Sequence, residues 1–324
     1  MTDLIPAKWV DRIDWFDNEK DWLDARQTYV GGSAAPALFN QGYKNTSPLS
    51  VWESLVFPGQ APPLKGEFLD LGLRLEQSIA DEYMHRTGAK LWGNAYNIWR
   101  HPEYGYMACT PDFIDFENEE NVQIKNVSSF ASKEWENDEY PLKYEVQVQH
   151  EMLATGMKSS KLVALLGGQS VAIRHVERND EWINDVLMPT IKAFWENHVE
   201  TKVQPDLEGV AGEGLVLARL HPEDNGKAVS LPPNFMTMLD EISPLKQSIK
   251  ELKDELDVKE SIIKNELGDN TYGETSDLRA VSWKSQNRKT YDIPDDIKEL
   301  YRVEDKVIRV LRFPKSLPKG VHCE

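Results

Sequence analysis

Tyr106-Met107-Ala108-Cys109-Thr110-Pro111-Asp112 and, eleven residues on, Gln123 within Asn121-Val122-Gln123-Ile124-Lys125-Asn126-Val127 form the stretch whose reading decides the fold. The first segment is a short apolar run that ends in an acidic residue. The second has the composition of a strand. Alternate residues of a strand face the same side, so Gln123 and Lys125 share one face while Val122 and Ile124 share the other. A hairpin brings Asp112 to the polar pair. Two oxygen ligands and a lysine on adjoining strands suit phosphodiester hydrolysis with a divalent metal: the oxygens hold the cation, and lysine orients the nucleophile or offsets negative charge. Pro-Asp is also a common turn dipeptide and strands often end in lysine, so spacing alone leaves an ordinary hairpin as the alternative.

Around this stretch the chain is long enough, at 324 residues, for one large or two smaller domains. Cys109 and Cys323 are its only cysteines, which excludes a disulfide framework or a four-cysteine iron–sulfur site within one chain. The start lacks a basic region followed by an apolar run, and no segment approaches a membrane span of ~18 residues, so a reducing cytoplasm is the expected location. The formal charge of -17 runs against nucleic-acid affinity, which comes from lysine and arginine displacing counterions. A DNA-binding reading therefore requires the basic residues to be gathered in a groove. Much of the acid is segregated, in 115–120, 134–139 and the stretch after 234.

Residues 8–25 read as a helical or mixed entry. Arg26 then precedes Gly31-Gly32-Ser33, where paired glycines permit a tight turn and Ser33 suits an N-cap; a hydroxyl, a helix start and an arginine together can hold a phosphate. Helices are expected at 49–55, opened by Ser47-Pro48, and at 66–87, with Phe68, Leu71, Leu75, Ile79 and Tyr83 at helical spacing and Gly88 as the stop. Residues 90–127 read as a small antiparallel sheet and 141–155 as a helix closed by Gly156. A strand at 161–166, a Gly167-Gly168 turn, a returning strand at 170–176 and a helix over 180–200, kinked near Pro189, complete a core at 1–205. The extension, 206–324, begins with an irregular glycine-containing stretch. Ile242, Leu245, Ile249, Leu252, Leu256 and Ile263 then repeat at three and four, predicting coiled-coil-like helices over about 235–267, either one long helix or, as preferred here, a hairpin packing back on the core. Strands at 280–284 and 307–313, flanking a short helix near 294–301, end the chain.

In order along the chain stand Arg26 with Gly31-Gly32-Ser33, Ser47-Pro48-Leu49-Ser50-Val51-Trp52, Gly72-Leu73-Arg74-Leu75-Glu76, Ala108-Cys109-Thr110-Pro111-Asp112, Gln123-Ile124-Lys125 and Tyr144-Glu145-Val146-Gln147-Val148-Gln149-His150. Together they resemble the YqaJ-type viral recombinases, which include the lambda-type exonucleases of the PD-(D/E)XK nuclease superfamily. The resemblance covers roughly residues 22–200. It implies an α/β core, a mixed sheet flanked by helices, that digests duplex DNA with Mg²⁺, or Mn²⁺ in its place, from the 5′ end in a phage-type recombination system. By position it makes Asp112 the central metal-binding aspartate, Lys125 the motif lysine and Glu76 the residue that completes the site. Gln123 and the backbone carbonyl of Ile124 join the metal ligands, Gln147 supports the catalytic face, and Arg26, Ser33 and Arg74 meet the DNA and its 5′ phosphate. The implied partners are double-stranded DNA ends, a single-strand annealing protein and, as ring-forming relatives suggest, further copies of the chain.

One departure stands out. The usual Glu/Asp-X-Lys motif reads Gln123-Ile124-Lys125 here. An amide oxygen can still coordinate a cation, but one negative charge is lost where carboxylate count sets affinity. Two alternatives remain open from the sequence: a structure-specific or nicking endonuclease of the same fold, and a catalytically weak protein that binds a partner through residues 242–263.

Overall fold

The structure is a computed structural model that describes residues 5–62, 66–93, 96–277, 279–286, 294, 297, 298 and 301. It divides into two compact units, Met1–His221 and Pro222–Glu324. The first runs through α1 (Ala7–Val10), β1 (Ile13–Trp15) and α2 (Glu19–Ala25) to a 3₁₀ turn (Ala35–Phe39), α3 (Pro48–Val56) and α4 (Glu67–Thr87). The strands β2 (Trp92–Gly93), β3 (Asn97–Arg100), β4 (Ala108–Cys109), β5 (Phe113–Asp115) and β6 (Glu120–Val127) follow, then α5 (Leu142–Thr155), β7 (Ser159–Leu166) and β8 (Ser170–Glu177). The chain continues helically from α6 (Asp180–Trp182) through a π segment into α7 (Met188–Phe194) and a second π segment, and α8 (Glu213–Leu220) ends the unit.

Local chemistry sets several of these boundaries. Ser47 accepts from the Ser50 amide in a reciprocal capping box, with Pro48 in the first turn of α3. Gly88 and Gly156 close α4 and α5 at φ +76° and +75°, the left-handed region where a side chain is strained.

Five strands in the order β2-β5-β6-β7-β8 form the central sheet. Its neighbours pair antiparallel except β6 and β7, which are parallel from Glu120↔Ser159 to Val127↔Leu166 and need α5 as their crossover. One face buries Val122, Ile124 and Val163 against Ile79, Ala80 and Tyr83 of α4. The opposite face buries Ile114, Val127, Leu162 and Ala164 against Val148 and Met152 of α5. The sheet is thus the middle layer between two helices, and strand alternation sends Gln123 and Lys125 to the α5 side.

The single antiparallel sheet expected over 90–127 is in fact divided. β3 and β4 join β1 in a separate sheet ordered β1-β3-β4, whereas β2 and β5 belong to the central one. Ile13, Ile98, Trp99 and Cys109 are all buried, so β1 supplies an apolar edge within the entry segment that composition alone leaves ambiguous. The glycine-containing stretch after 205 likewise organises more than expected. Arg219 of α8 makes a two-pronged ion pair with the buried Glu53 of α3 (both contacts 2.6 Å), and Val216 joins the same apolar cluster as Trp52.

The second unit holds α9 (Asn234–Leu267) and an antiparallel pair, β9 (Tyr272–Glu274) with β10 (Ala280–Ser282). The helical hairpin expected over about 235–267 is instead one 34-residue helix. No glycine interrupts this segment, and Pro244 lies near its start rather than at its midpoint. Ion pairs Glu255–Lys259 and Glu260–Lys264 span successive turns and favour continuation. The expected strand at 307–313 lies outside the described residues, as does most of the expected helix near 294–301.

Candidate active site

Pairing of β5 with β6 sets Phe113 opposite Val122, which carries the preceding residue, Asp112, to Gln123. Asp112 Oδ2 accepts from Gln123 Nε2 at 2.6 Å and from the Ile124 backbone amide at 2.8 Å. Since the Gln123 amide nitrogen is committed to a carboxylate, its orientation is determined: Oε1 points away, is buried, and has no hydrogen-bond partner. Burial raises the pKa of Asp112, against the opposing pull of Lys125 and of the two hydrogen bonds. Glu76 on α4 is pushed up to about 7, first by burial and then by the negative charge of Asp112, with Lys125 acting the other way. The two carboxyls and the lysine therefore feel one another's charge, and the acids resist ionising together. Among the described residues no three acidic, histidine or cysteine side chains gather as a metal cluster.

α5 forms the opposing wall. Gln147 lies between Tyr43, whose hydroxyl donates to Gln147 Oε1 at 3.0 Å, and Glu151, whose Oε1 accepts from Gln147 Nε2 at 2.8 Å. Lys125 Nζ lies 5.3 Å from the centre of the Tyr144 ring. Glu151 is 2% exposed and pushed up to about 8, chiefly by burial; Gln147 and Lys125 favour its ionised form and Asp112 opposes it. Sequence reasoning missed both Glu151 and Tyr43. Glu151 carried a signal, being one helical turn beyond Gln147 and hence on the same face; Tyr43, in a loop, carried none.

A cavity of about 630 Å³ is lined by Arg26, Ser33, Tyr43, Asp112, Gln123, Lys125, Gln147 and Glu151 among others. Arg26 is held at the rim, 4.6 Å from the Trp22 ring. Ser33 does not cap a helix as expected. The 3₁₀ turn begins at Ala35 with Ala34 in the capping position, Ala34 and Ala35 donate their amides to the Gly31 carbonyl, and Ser33 is an exposed residue of the cavity lining. Of the remaining sequence-derived candidates, Glu76 reaches the site through its charge without lining the cavity, Arg74 is exposed on α4 outside it, and Ile124 contributes its amide to Asp112.

Residues 21–158, which hold this whole constellation, match the YqaJ-like viral recombinase domain. Protein YqaJ of Bacillus subtilis (strain 168) is 30% identical over 301 residues, covering 90% of this chain and 92% of that one. Among solved structures, the alkaline exonuclease LHK-Exo from Laribacter hongkongensis in complex with dAMP is 18% identical. It superposes with a TM-score of 0.50 over 57% of this chain and 94% of that chain, a likeness that shows the fold. The five-stranded mixed sheet flanked by helices is accordingly a PD-(D/E)XK-type core, and the chain belongs to the YqaJ-like viral recombinase family.

Proposed function

We propose that this chain is a metal-dependent deoxyribonuclease that resects double-stranded DNA ends from 5′ to 3′. The observation that carries the reading is the buried, unpartnered Gln123 Oε1 beside Asp112, in a cavity shared with Lys125, Arg26 and Ser33. A buried acceptor next to a carboxylate, with no donor to satisfy it, suits a hard divalent cation. The donor set fits Mg²⁺, or Mn²⁺ in its place: Asp112, Glu76, the Gln123 amide oxygen and the Ile124 backbone carbonyl would hold it. When bound, such an ion polarises the phosphodiester and lowers the pKa of its water. Lys125 offsets charge developing on the phosphate and orients the attacking oxygen. Gln147, held by Tyr43 and Glu151, supports the catalytic face. Arg26 and Ser33 receive the 5′ phosphate, with Arg74 farther out along the duplex. The proposal extends to a single-strand annealing protein and further copies of the chain as partners, on the strength of the family resemblance.

Incubating linear duplex, with and without a 5′ phosphate, in Mg²⁺ and following acid-soluble nucleotide tests the reading. Mg²⁺-dependent release that Asp112→Ala abolishes is expected, together with an intact covalently closed circle. Full activity in Asp112→Ala overturns it, and cutting of the closed circle replaces an exonuclease with an endonuclease.

A further inference from the structure

Gln123 stands where an acidic residue is usual, so the centre lacks one negative charge. The same cavity contains a carboxyl whose one assigned role, holding Gln147, uses a single oxygen. Glu151 is 2% exposed; its Oε1 accepts from Gln147, while Oε2 is buried and without a hydrogen-bond partner. The cavity thus has two buried orphan oxygens, Gln123 Oε1 and Glu151 Oε2, one from β6 and one from α5. Glu151 lines the cavity together with Lys125 and Asp112, whose charges act on it in opposite directions. The glycine turn closes on the same group: a Cβ at Gly32 would sit 2.8 Å from Glu151 Oε1, so the loop bearing Ser33 packs directly against this carboxyl.

Neither oxygen accepts a hydrogen bond within the protein, and both belong to the lining that also holds Asp112, so one cation can satisfy the two together. We propose that Glu151 supplies the carboxylate that position 123 lacks, so that a divalent cation is held across the cavity by Asp112, the Gln123 amide oxygen and Glu151. This rests on the metal-centre reading above and adds a ligand from the helix wall. The charge removed from β6 is thereby returned from α5, through a residue four positions beyond Gln147.

The test is Mn²⁺ binding to the full chain without DNA, followed by electron paramagnetic resonance. Glu151→Gln preserves volume and the acceptor for Gln147, and Glu151→Met provides a second neutral variant should the first fold poorly. Both are expected to weaken Mn²⁺ binding at least about tenfold, the scale set by loss of one charged or orienting group at a metal site. Adding Gln123→Glu to Glu151→Gln is expected to restore it. Wild-type affinity in Glu151→Gln, or a loss that Gln123→Glu fails to restore, overturns the charge replacement. Asp112→Asn separates the two levels: if it too binds Mn²⁺ like the wild type, the metal-centre reading itself fails.

Discussion

Helix α5 buries Gln147, Gln149, His150 and Glu151, whereas α9 leaves Leu245, Ile249, Leu252 and Leu256 more than half exposed. Each departs from the usual sorting of polar and apolar side chains, in opposite directions. α5 is the crossover between parallel strands, so its inner face is enclosed by the sheet, the glycine turn and the 3₁₀ turn that follows it, whatever residues it carries. Polar groups inside such an enclosure cost stability unless partnered, and one left unpartnered invites a water or an ion. α9 shows the reverse case. Its stripe has the three-and-four spacing of a packing seam, and the charged residues between hold the helix together by ion pairs within its own surface. Exposure of apolar residues at an ordered spacing is informative about partners, not about the stability of the helix.

The contrast is sharpest in stability. Met152→Ala, at a fully buried position on α5, is expected to cost about 2–5 kcal/mol in urea unfolding, and Leu252→Ala on α9, 64% exposed, less than about 0.5 kcal/mol. A comparable loss at Leu252 breaks the contrast and shows the stripe to be covered in solution.

Activity comes next. Gln147→Ala removes the group held between Tyr43 and Glu151. It is expected to lower kcat on linear duplex by about 100-fold, roughly 2.7 kcal/mol, while Leu252→Ser leaves kcat within about twofold. An unaffected Gln147→Ala would reduce the polar face of α5 to a structural feature.

The pH dependence of the metal-free chain follows from Glu151, pushed from its usual 4.5 up to about 8, and Glu76, raised in the same direction. Between those values the folded chain binds more protons than the unfolded one, so stability is full below about 4.5 and is lost as pH rises through about 8. The free energy of unfolding should be lower at about pH 8.5 than at about pH 5.5 by on the order of a kcal/mol or more, with a correspondingly lower unfolding temperature. Glu151→Gln should remove part of that slope; an unchanged slope would mean that Glu151 ionises freely.

The smallest effect belongs to the surface of α9. Breaking the Glu255–Lys259 pair with Lys259→Ala should change thermal stability by only about 0.3–0.5 kcal/mol, and less in high salt.

Strand alternation made it legible from residues alone that Gln123 and Lys125 face one way and Val122 and Ile124 the other. The stops at Gly88 and Gly156 were legible for the same kind of reason: they follow from backbone geometry within a few residues of the feature. The preferred hairpin in α9 went astray because the heptad spacing records which residues share a face and leaves open whether the seam folds on itself. The resemblance supplied candidate roles, and it drew attention to Gln123, but it could not select Glu151 or set Arg74 outside the cavity.

What the sequence by itself determined is local: the hairpin bearing Asp112, the two faces of β6, the helices on either side and the charge missing at position 123. Only the tertiary structure decided which groups meet. The parallel pairing of β6 with β7 through α5 joins residues 39 positions apart, and the approach of the Gly31–Ser33 turn to Glu151 joins residues more than a hundred apart. No local periodicity encodes such a meeting, because it depends on strand register and on which apolar faces exclude water together. Two oxygens, one from β6 and one from α5, thereby share one cavity, each without a hydrogen-bond partner.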